Sequence, residues 1–339
     1  MFTEVLSAQS MNRAVLARQL LLERSNLSMS EALDQIAGIQ NQYAPNGYIG
    51  LWSRLAEFKR EPLTTALEKR ALVQGTTLRG TIHLVTPEFF QLSNEAVREE
   101  RAAWWFRAAR RDDQEAKRVV AKQIAQALAQ GPRKRAALMK DLGIDTASWN
   151  GATAFLDLIR VPPSGTWEKR RPDLYDLFAA PSIDPAAARR ETVDRYLRAF
   201  GPAGGKDIAT FLALNLNGLK PLLAGYRTFL SEDGSELFDV EDGLLPDPNT
   251  PAPPRFLPPW DANLLVHARR TGILPEEYRP LIFNTKMPQS VPTFMIDGRV
   301  AGTWALDAND LRLSPFRKLD RRSASELEDE AEKLRAFIA

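Results

Sequence analysis

Two Gly-Pro steps, Gly131-Pro132 and Gly201-Pro202, divide the middle of this chain about 70 residues apart. Each is preceded by one long helical stretch and followed by two short ones and a strand-turn-strand run. Proline has no amide hydrogen to give and clashes with the helical turn before it, so each step ends a helix and lets the chain change direction. A recurrence of this kind confines the chain to tandem copies of one small plan, alike in architecture rather than in residue-by-residue sequence. The plan is a set of helices closed by a two-stranded hairpin.

Taken in order, the first copy spans residues 1–86. Apolar spacing predicts a helix over residues 7–23, a short helix over 31–37 capped by Ser28 or Ser30, and helices over 47–59 and 63–70. Strands over 71–75 and 78–86 follow, joined through Thr76-Thr77. Residues 87–113 form a linking helix, in which Trp104, Trp105 and Phe106 cannot all face one core. The second copy, 114–183, has helices over 114–129, 133–142 and 148–159, then a strand, turn and returning strand within 161–168. The third, 184–255, repeats this with helices over 186–200, 206–214 and 218–226 and strands over 228–231 and 236–240. Strand-like runs at 264–267, 281–283, 293–296 and 299–306, the last two joined by an Asp297-Gly298 turn, make 256–339 a small β domain closed by a helix over 324–338. The expected fold is therefore mainly α with small β elements (α+β): three tandem winged helix-turn-helix units followed by a small C-terminal β domain.

Composition removes several kinds of chemistry. With no cysteine in 339 residues, disulfides, thiolate catalysis and thiolate metal sites are closed to the chain, and two histidines, His83 and His267, are too few for a His-rich metal site. No metal and no cofactor are expected. No apolar run approaches the ~18 residues of a spanning helix, and the first residues lack the basic and apolar segments of a signal peptide. The expectation is a cytoplasmic, nucleoid-associated monomer. Net charge is only +2, yet residues 91–171 are rich in arginine (Arg98, Arg101, Arg107, Arg110, Arg111, Arg118), while acidic residues gather in 231–247 and 323–339. That asymmetry suits one face turned to a polyanion; the alternative is solvated helix faces that balance locally.

The stretch from Gly38 to Pro45 reads Gly-Ile-Gln-Asn-Gln-Tyr-Ala-Pro. Side chains alternate along extended backbone, so Gln40 and Gln42 share a side and their amides can hold one water or one sugar-phosphate between them; equally, they are ordinary solvated residues beside a turn. Tyr43 can stack on a base or pack in a core. His83 shares a strand face with Thr81 and either contacts a phosphate or sugar or braces the hairpin. His267 reads as structural. Basic side chains at Arg133, Lys134 and Arg135, and at Lys169, Arg170 and Arg171 beside the second wing, are spaced for phosphate contacts, which position a protein without reading sequence.

Further motifs follow in order: Tyr48-Ile49-Gly50-Leu51-Trp52-Ser53-Arg54-Leu55, Leu72-Val73-Gln74-Gly75, Leu78-Arg79-Gly80-Thr81-Ile82-His83-Leu84-Val85, and the run from Pro292 to Trp304. Together with the glutamine stretch this set resembles the winged-helix DNA-binding proteins of the AlkZ-like, crosslink-unhooking DNA glycosylase family, over roughly Leu6 to Trp304. The resemblance implies a monofunctional DNA glycosylase acting on double-stranded DNA that carries alkylated bases or interstrand crosslinks. The family's catalytic motif is glutamine, an aliphatic residue, glutamine; Gln40 and Gln42 match it and Asn41 departs from it. DNA contacts are expected from Tyr43, Arg79, Thr81, His83, Arg133, Lys134, Arg135, Lys169, Arg170 and Arg171, and Asp261 resembles a family position near the DNA-facing surface. The chemistry suits uncharged groups. An N7- or N3-alkylated purine is already cationic and leaves readily, so the enzyme chiefly has to place a water at C1′. The rival reading is a non-catalytic DNA-binding protein or transcriptional regulator, which Asn41 favours; a protein-interaction scaffold is the third.

Overall fold

The computed structural model describes residues 4–110, 113–267, 272–284, 289–307 and 310–339; Arg111, counted above among the basic residues, lies outside them. The chain opens with a short strand, β1 (Val5–Leu6), helices α1 (Ala8–Arg18) and α2 (Met29–Gln35), strand β2 (Ile39–Gln40), helices α3 (Pro45–Trp52) and α4 (Arg60–Glu68), and strands β3 (Val73–Thr76) and β4 (Ile82–Val85). Ser28 caps α2 in a full capping box with Glu31, satisfying two helix-end donors at once. The β3–β4 connection is a tight turn at Leu78–Gly80, with Arg79 and Gly80 both at positive φ (55° and 66°), and not the expected Thr76-Thr77. Branched threonines resist such backbone, whereas glycine adopts it freely.

Helix α5 (Pro87–Ala108) is the spine of the molecule. Thr86 caps it by accepting from the Phe89 amide, Pro87 sits in its first turn, and Phe89, Phe90, Val97 and Phe106 are buried along it. The second stretch runs α6 (Gln114–Leu128), β5 (Arg133–Lys134), α7 (Arg135–Asp141), α8 (Thr146–Thr153), β6 (Leu158–Arg160), β7 (Leu174–Leu177). The third repeats that order as α9 (Pro185–Phe200), β8 (Ala203–Gly204), α10 (Gly205–Phe211), α11 (Leu216–Leu223), β9 (Arg227–Ser231), β10 (Glu236–Asp239). The expected hairpin within 161–168 is corrected: its strands are β6 and β7, and the segment between them is a long loop. Pro162 and Pro163 have no amide to donate to a ladder, so pairing stops after Val161, whose amide still donates to the Leu174 carbonyl.

The hairpins do not stay separate. Strands β2, β4, β3, β6, β7 and β5 form one sheet in that order, because β3 pairs with β4 on one side and with β6 on the other. Gly75 permits this contact. A Cβ there would lie 2.4 Å from the Phe90 ring and 2.8 Å from the Leu158 carbonyl oxygen. A second sheet, β1-β9-β10-β8, takes its edge strand from the N-terminus, and α5 packs along α9.

The C-terminal part begins with β11 (Arg255–Leu257). The expected strand at 264–267 is instead a 3-10 turn, Ala262–Leu264, capped by the Asp261 side chain. The run at 281–283 is mostly the helical turn α12 (Arg279–Ile282), which Pro280 starts, leading into the short pair β12 (Phe283–Asn284) and β13 (Gln289–Ser290). Strands β14 (Thr293–Ile296), β15 (Arg299–Asp307) and β16 (Asp310–Pro315) complete a sheet with β11. Helix α13 (Arg321–Ile338) then lays Leu327, Ala331 and Leu334 into a core shared with Trp52, Leu63 and Phe256. The α+β class expected from the sequence holds. Among the described residues no helix is long and apolar enough to cross a membrane.

Candidate active site

Strand β2 is only two residues long, and its second residue is Gln40, paired in register with His83 of β4. The Gln40 side chain is buried at 5% exposure and its Oε1 accepts from Nη2 of Arg79 at 3.0 Å. The same Nη2 lies 3.3 Å from Nε2 of His83, while Nδ1 of His83 lies 3.0 Å from the Thr81 carbonyl. A carbonyl can only accept, so Nδ1 carries the proton and Nε2 offers its lone pair to Arg79. Burial, and then the neighbouring guanidinium, push the His83 pKa down to about 3; burial brings that of Arg79 down to about 10. At neutral pH the group is therefore a cationic arginine held between a neutral imidazole and an amide, with the Phe211 ring 5.0 Å from its guanidinium carbon.

Asn41 turns the other way. Its Nδ2 donates to Oε1 of Gln74 at 2.7 Å, its Oδ1 accepts from the Gly47 amide at 2.8 Å, and Nε2 of Gln74 donates to the Gly165 carbonyl at 2.9 Å. The middle residue of the motif is thus bonded to the sheet and to α3, and Gln74 carries the chain of bonds on to the loop between β6 and β7. Gln42 returns to the surface. It is exposed, its Oε1 accepts only a long 3.4 Å bond from the Ile82 amide, and Nη1 of Arg160 reaches its carbonyl at 3.4 Å. Tyr43, 46% exposed, accepts at its hydroxyl from Nη1 of Arg170 at 3.1 Å.

This geometry sorts the candidate residues. Gln40, Arg79 and His83 form one bonded group; Gln42 and Tyr43 follow Gln40 along the chain, Arg160 and Arg170 are bonded to them, and exposed Lys169 and Arg171 lie alongside Arg170. Arg133, Lys134 and Arg135 lie at the opposite edge of the sheet, five strand spacings or ~24 Å from β2. There Arg133 is bonded to Asp141 and the Arg135 guanidinium lies over Trp149. Two expectations are corrected. His83, at 2% exposure, has no surface for a phosphate; its ring is bonded to Arg79 and to the Thr81 carbonyl. Asp261, also 2% exposed, is paired with Arg54 at 3.0 Å and bonded to Asn263, and so has no free surface to offer DNA. Thr81 is half-buried, its hydroxyl bonded to the Leu78 carbonyl. Gln74, Arg160 and Arg101 were not singled out for the site from the sequence; a glutamine inside the apolar run Leu72-Val73-Gln74-Gly75 was the signal for the first. Among the described residues no cluster of histidine and carboxylate side chains could hold a metal ion.

Residues 33–337 match the family described as DNA glycosylase AlkZ-like. The chain belongs to the AlkZ-like DNA glycosylase family. A comparison with curated proteins returns no match. In fold this AlkZ-like chain is similar to Streptomyces sahachiroi DNA glycosylase AlkZ, with a TM-score of 0.82 at 20% identity over 98% of this chain and 97% of that one. DNA is accordingly the partner of this AlkZ-like glycosylase, and the group around Gln40 and Gln42 is the candidate place for its chemistry.

Neutral, buried His83 makes the fold acid-sensitive. An unfolded histidine binds its proton near pH 6.5, whereas the folded one stays neutral until about 3, so the unfolded state holds more protons between those values. Stability therefore falls as pH drops below about 6.5, by at most about 1.4 kcal/mol per pH unit from this residue. His267, shifted down by burial, adds in the same direction. Denaturant unfolding at pH 7.5 and 5.0 should show the loss, and His83→Gln should make it smaller; an unchanged slope in that variant would refute the assignment.

Proposed function

We propose that this glycosylase hydrolyses the N-glycosidic bond of alkylated purines in double-stranded DNA, crosslinked ones included, with Gln42 placing the attacking water and Gln40 fixing the strand that presents it. The observation that carries this is the contrast between the two amides. The Gln40 carbonyl already accepts from a guanidinium, which makes it a weaker acceptor for water. The Gln42 carbonyl, exposed and bound only at 3.4 Å, is the one that can turn to a water beside C1′. In the step, a bond forms between the water oxygen and C1′ as the C1′–N bond breaks. The bonding pair neutralises the cationic base, and the water's proton passes to solvent. The Gln42 dipole lies against the developing oxocarbenium charge, while Arg160, Arg170 and their neighbours hold phosphates.

The proposal includes the architecture: a monomer of three winged helix-turn-helix units at 1–86, 114–183 and 184–255, a linking helix at 87–113, and a C-terminal β domain at 256–339. The non-catalytic alternative rested on Asn41. Since that side chain is buried at 2% exposure and bonded to Gln74 and Gly47, its identity bears on sheet packing and not on the face that Gln42 presents.

Single-turnover release of N7-alkylguanine from a duplex tests the activity. Release is expected with no added cofactor; its absence on both an alkylated and a crosslinked duplex, with DNA binding intact, would leave the non-catalytic reading standing. The phosphate role has its own readout. Affinity should fall with salt, and replacing Lys169, Arg170 and Arg171 with glutamine should flatten the log–log slope by about 0.9 for each phosphate left without its cation. An unchanged slope would mean that other cations neutralise the phosphates.

A further inference from the structure

Beside the glutamine group, α5 leaves a cleft of about 660 Å³ against α10 and the start of α11, and its charge is one-sided. Val97, Ala209 and Leu214 give it apolar walls, Arg107 and Lys206 are exposed on it, and Trp104 of α5 stands 56% exposed at it. Two of its walls are guanidiniums, that of Arg101 buried and that of Arg79 half-buried with its Nη1 out of water. Arg101 is 6% exposed. Its Nη1 is bonded to Asn94 and lies 3.4 and 3.5 Å from the carbonyls of Thr76 and Thr77, but its Nε and Nη2 have no partner. Arg79, which also lines the cleft, holds Gln40 with Nη2 and leaves Nη1 without a partner. Among the described residues neither guanidinium is ion-paired with a carboxylate. A buried, unpaired cation is among the costliest features a fold can carry, and a fold keeps one where a counter-charge arrives from outside.

An anion alone does not explain Trp104. A large aromatic ring left in water beside these two cations suits a ligand that joins a flat ring to an acidic group. We propose that this cleft takes one extrahelical nucleotide of the DNA, its base stacked on Trp104 and its phosphate on Arg101 and Arg79. Bases inside a duplex have both faces covered by their neighbours, so only an extruded one can stack on a side chain. Arg79 then links the two places, touching the motif glutamine on one side and the extruded nucleotide's phosphate on the other. The inference rests on the glycosylase reading only for its choice of DNA as the partner.

The test is a binding measurement on undamaged DNA, so it stands whether or not Gln42 places the water. Fluorescence anisotropy would compare a short, fully paired duplex with the same duplex carrying one unpaired nucleotide. The full-length protein is expected to prefer the unpaired site by about tenfold, the scale of one base–aromatic stack. Trp104→Ala should bring the ratio close to one, and Trp104→Phe should restore most of it. Arg101→Lys, which keeps the charge but loses the fork, should lower affinity for the unpaired duplex more than for the paired one. Equal binding of both duplexes by the wild type, or a preference that survives Trp104→Ala, would overturn the proposal. So would deoxyguanosine monophosphate displacing the unpaired duplex at an equal concentration, since the cleft would then belong to a free nucleotide.

Discussion

Replacing Gln42 with alanine is expected to slow single-turnover release of N7-alkylguanine by about 10²-fold, the low end for a positioned proton acceptor, with duplex affinity held within about twofold. The limit follows from chemistry: an amide orients water but does not take its proton, and the cationic leaving group has already lowered the barrier. Affinity should survive because the cations proposed to hold phosphates, Arg160 and Arg170, contact the backbone carbonyl of Gln42 and the hydroxyl of Tyr43, which the substitution leaves in place. Gln40→Ala should behave differently. It removes the acceptor of the Arg79 guanidinium, so rate and affinity should fall together. A Gln42→Ala enzyme that releases base at the wild-type rate would eliminate this residue as the one that places the water and shift the search to Gln40.

Much of this arrangement is legible in the chain because its signals are local. Gly131-Pro132 and Gly201-Pro202 mark the ends of α6 and α9, and the helix and hairpin order around them follows from apolar spacing. Part of the glutamine stretch also comes through: Asn41 turns away from Gln40 and is bonded to Gln74 and to the Gly47 amide. What the chain did not disclose depends on pairing between distant segments. Nothing near Gly75 announces that it will meet the Leu158 carbonyl, yet that approach merges two hairpins into one sheet and brings Arg160 and Arg170 to the glutamines. His83 and Asp261 were misplaced for a related reason. Each is a polar residue in an apolar run, which reads equally as a surface contact or as a buried bonded group, and only the partner, Arg79 or Arg54, decides between them. Arg101 sits on a helix full of arginines; its separation from the solvated ones is a matter of what packs over it.

Asp261→Ala is expected to destabilise the protein by about 3–5 kcal/mol, the range for breaking a buried ion pair from one side. The partner explains the size. Arg54 is 1% exposed, its Nη2 lies 3.2 and 3.0 Å from the two carboxylate oxygens, and its Nε already lacks a partner. Without Asp261 the guanidinium keeps the Gly50 carbonyl at 3.0 Å and little else. The loss also uncaps the turn at Ala262–Leu264, where Asp261 accepts from the Asn263 amide. Because α3 leads directly into Arg54, the pair fastens the helix following the glutamines to the C-terminal part. Arg54→Met with Asp261→Leu should recover most of the stability, since replacing both charges with apolar side chains of similar volume removes the desolvation cost with the attraction. Urea unfolding of the three proteins measures this. A loss below about 1 kcal/mol in Asp261→Ala, accompanied by weaker DNA binding, would mean that the carboxylate serves the DNA surface and not the core.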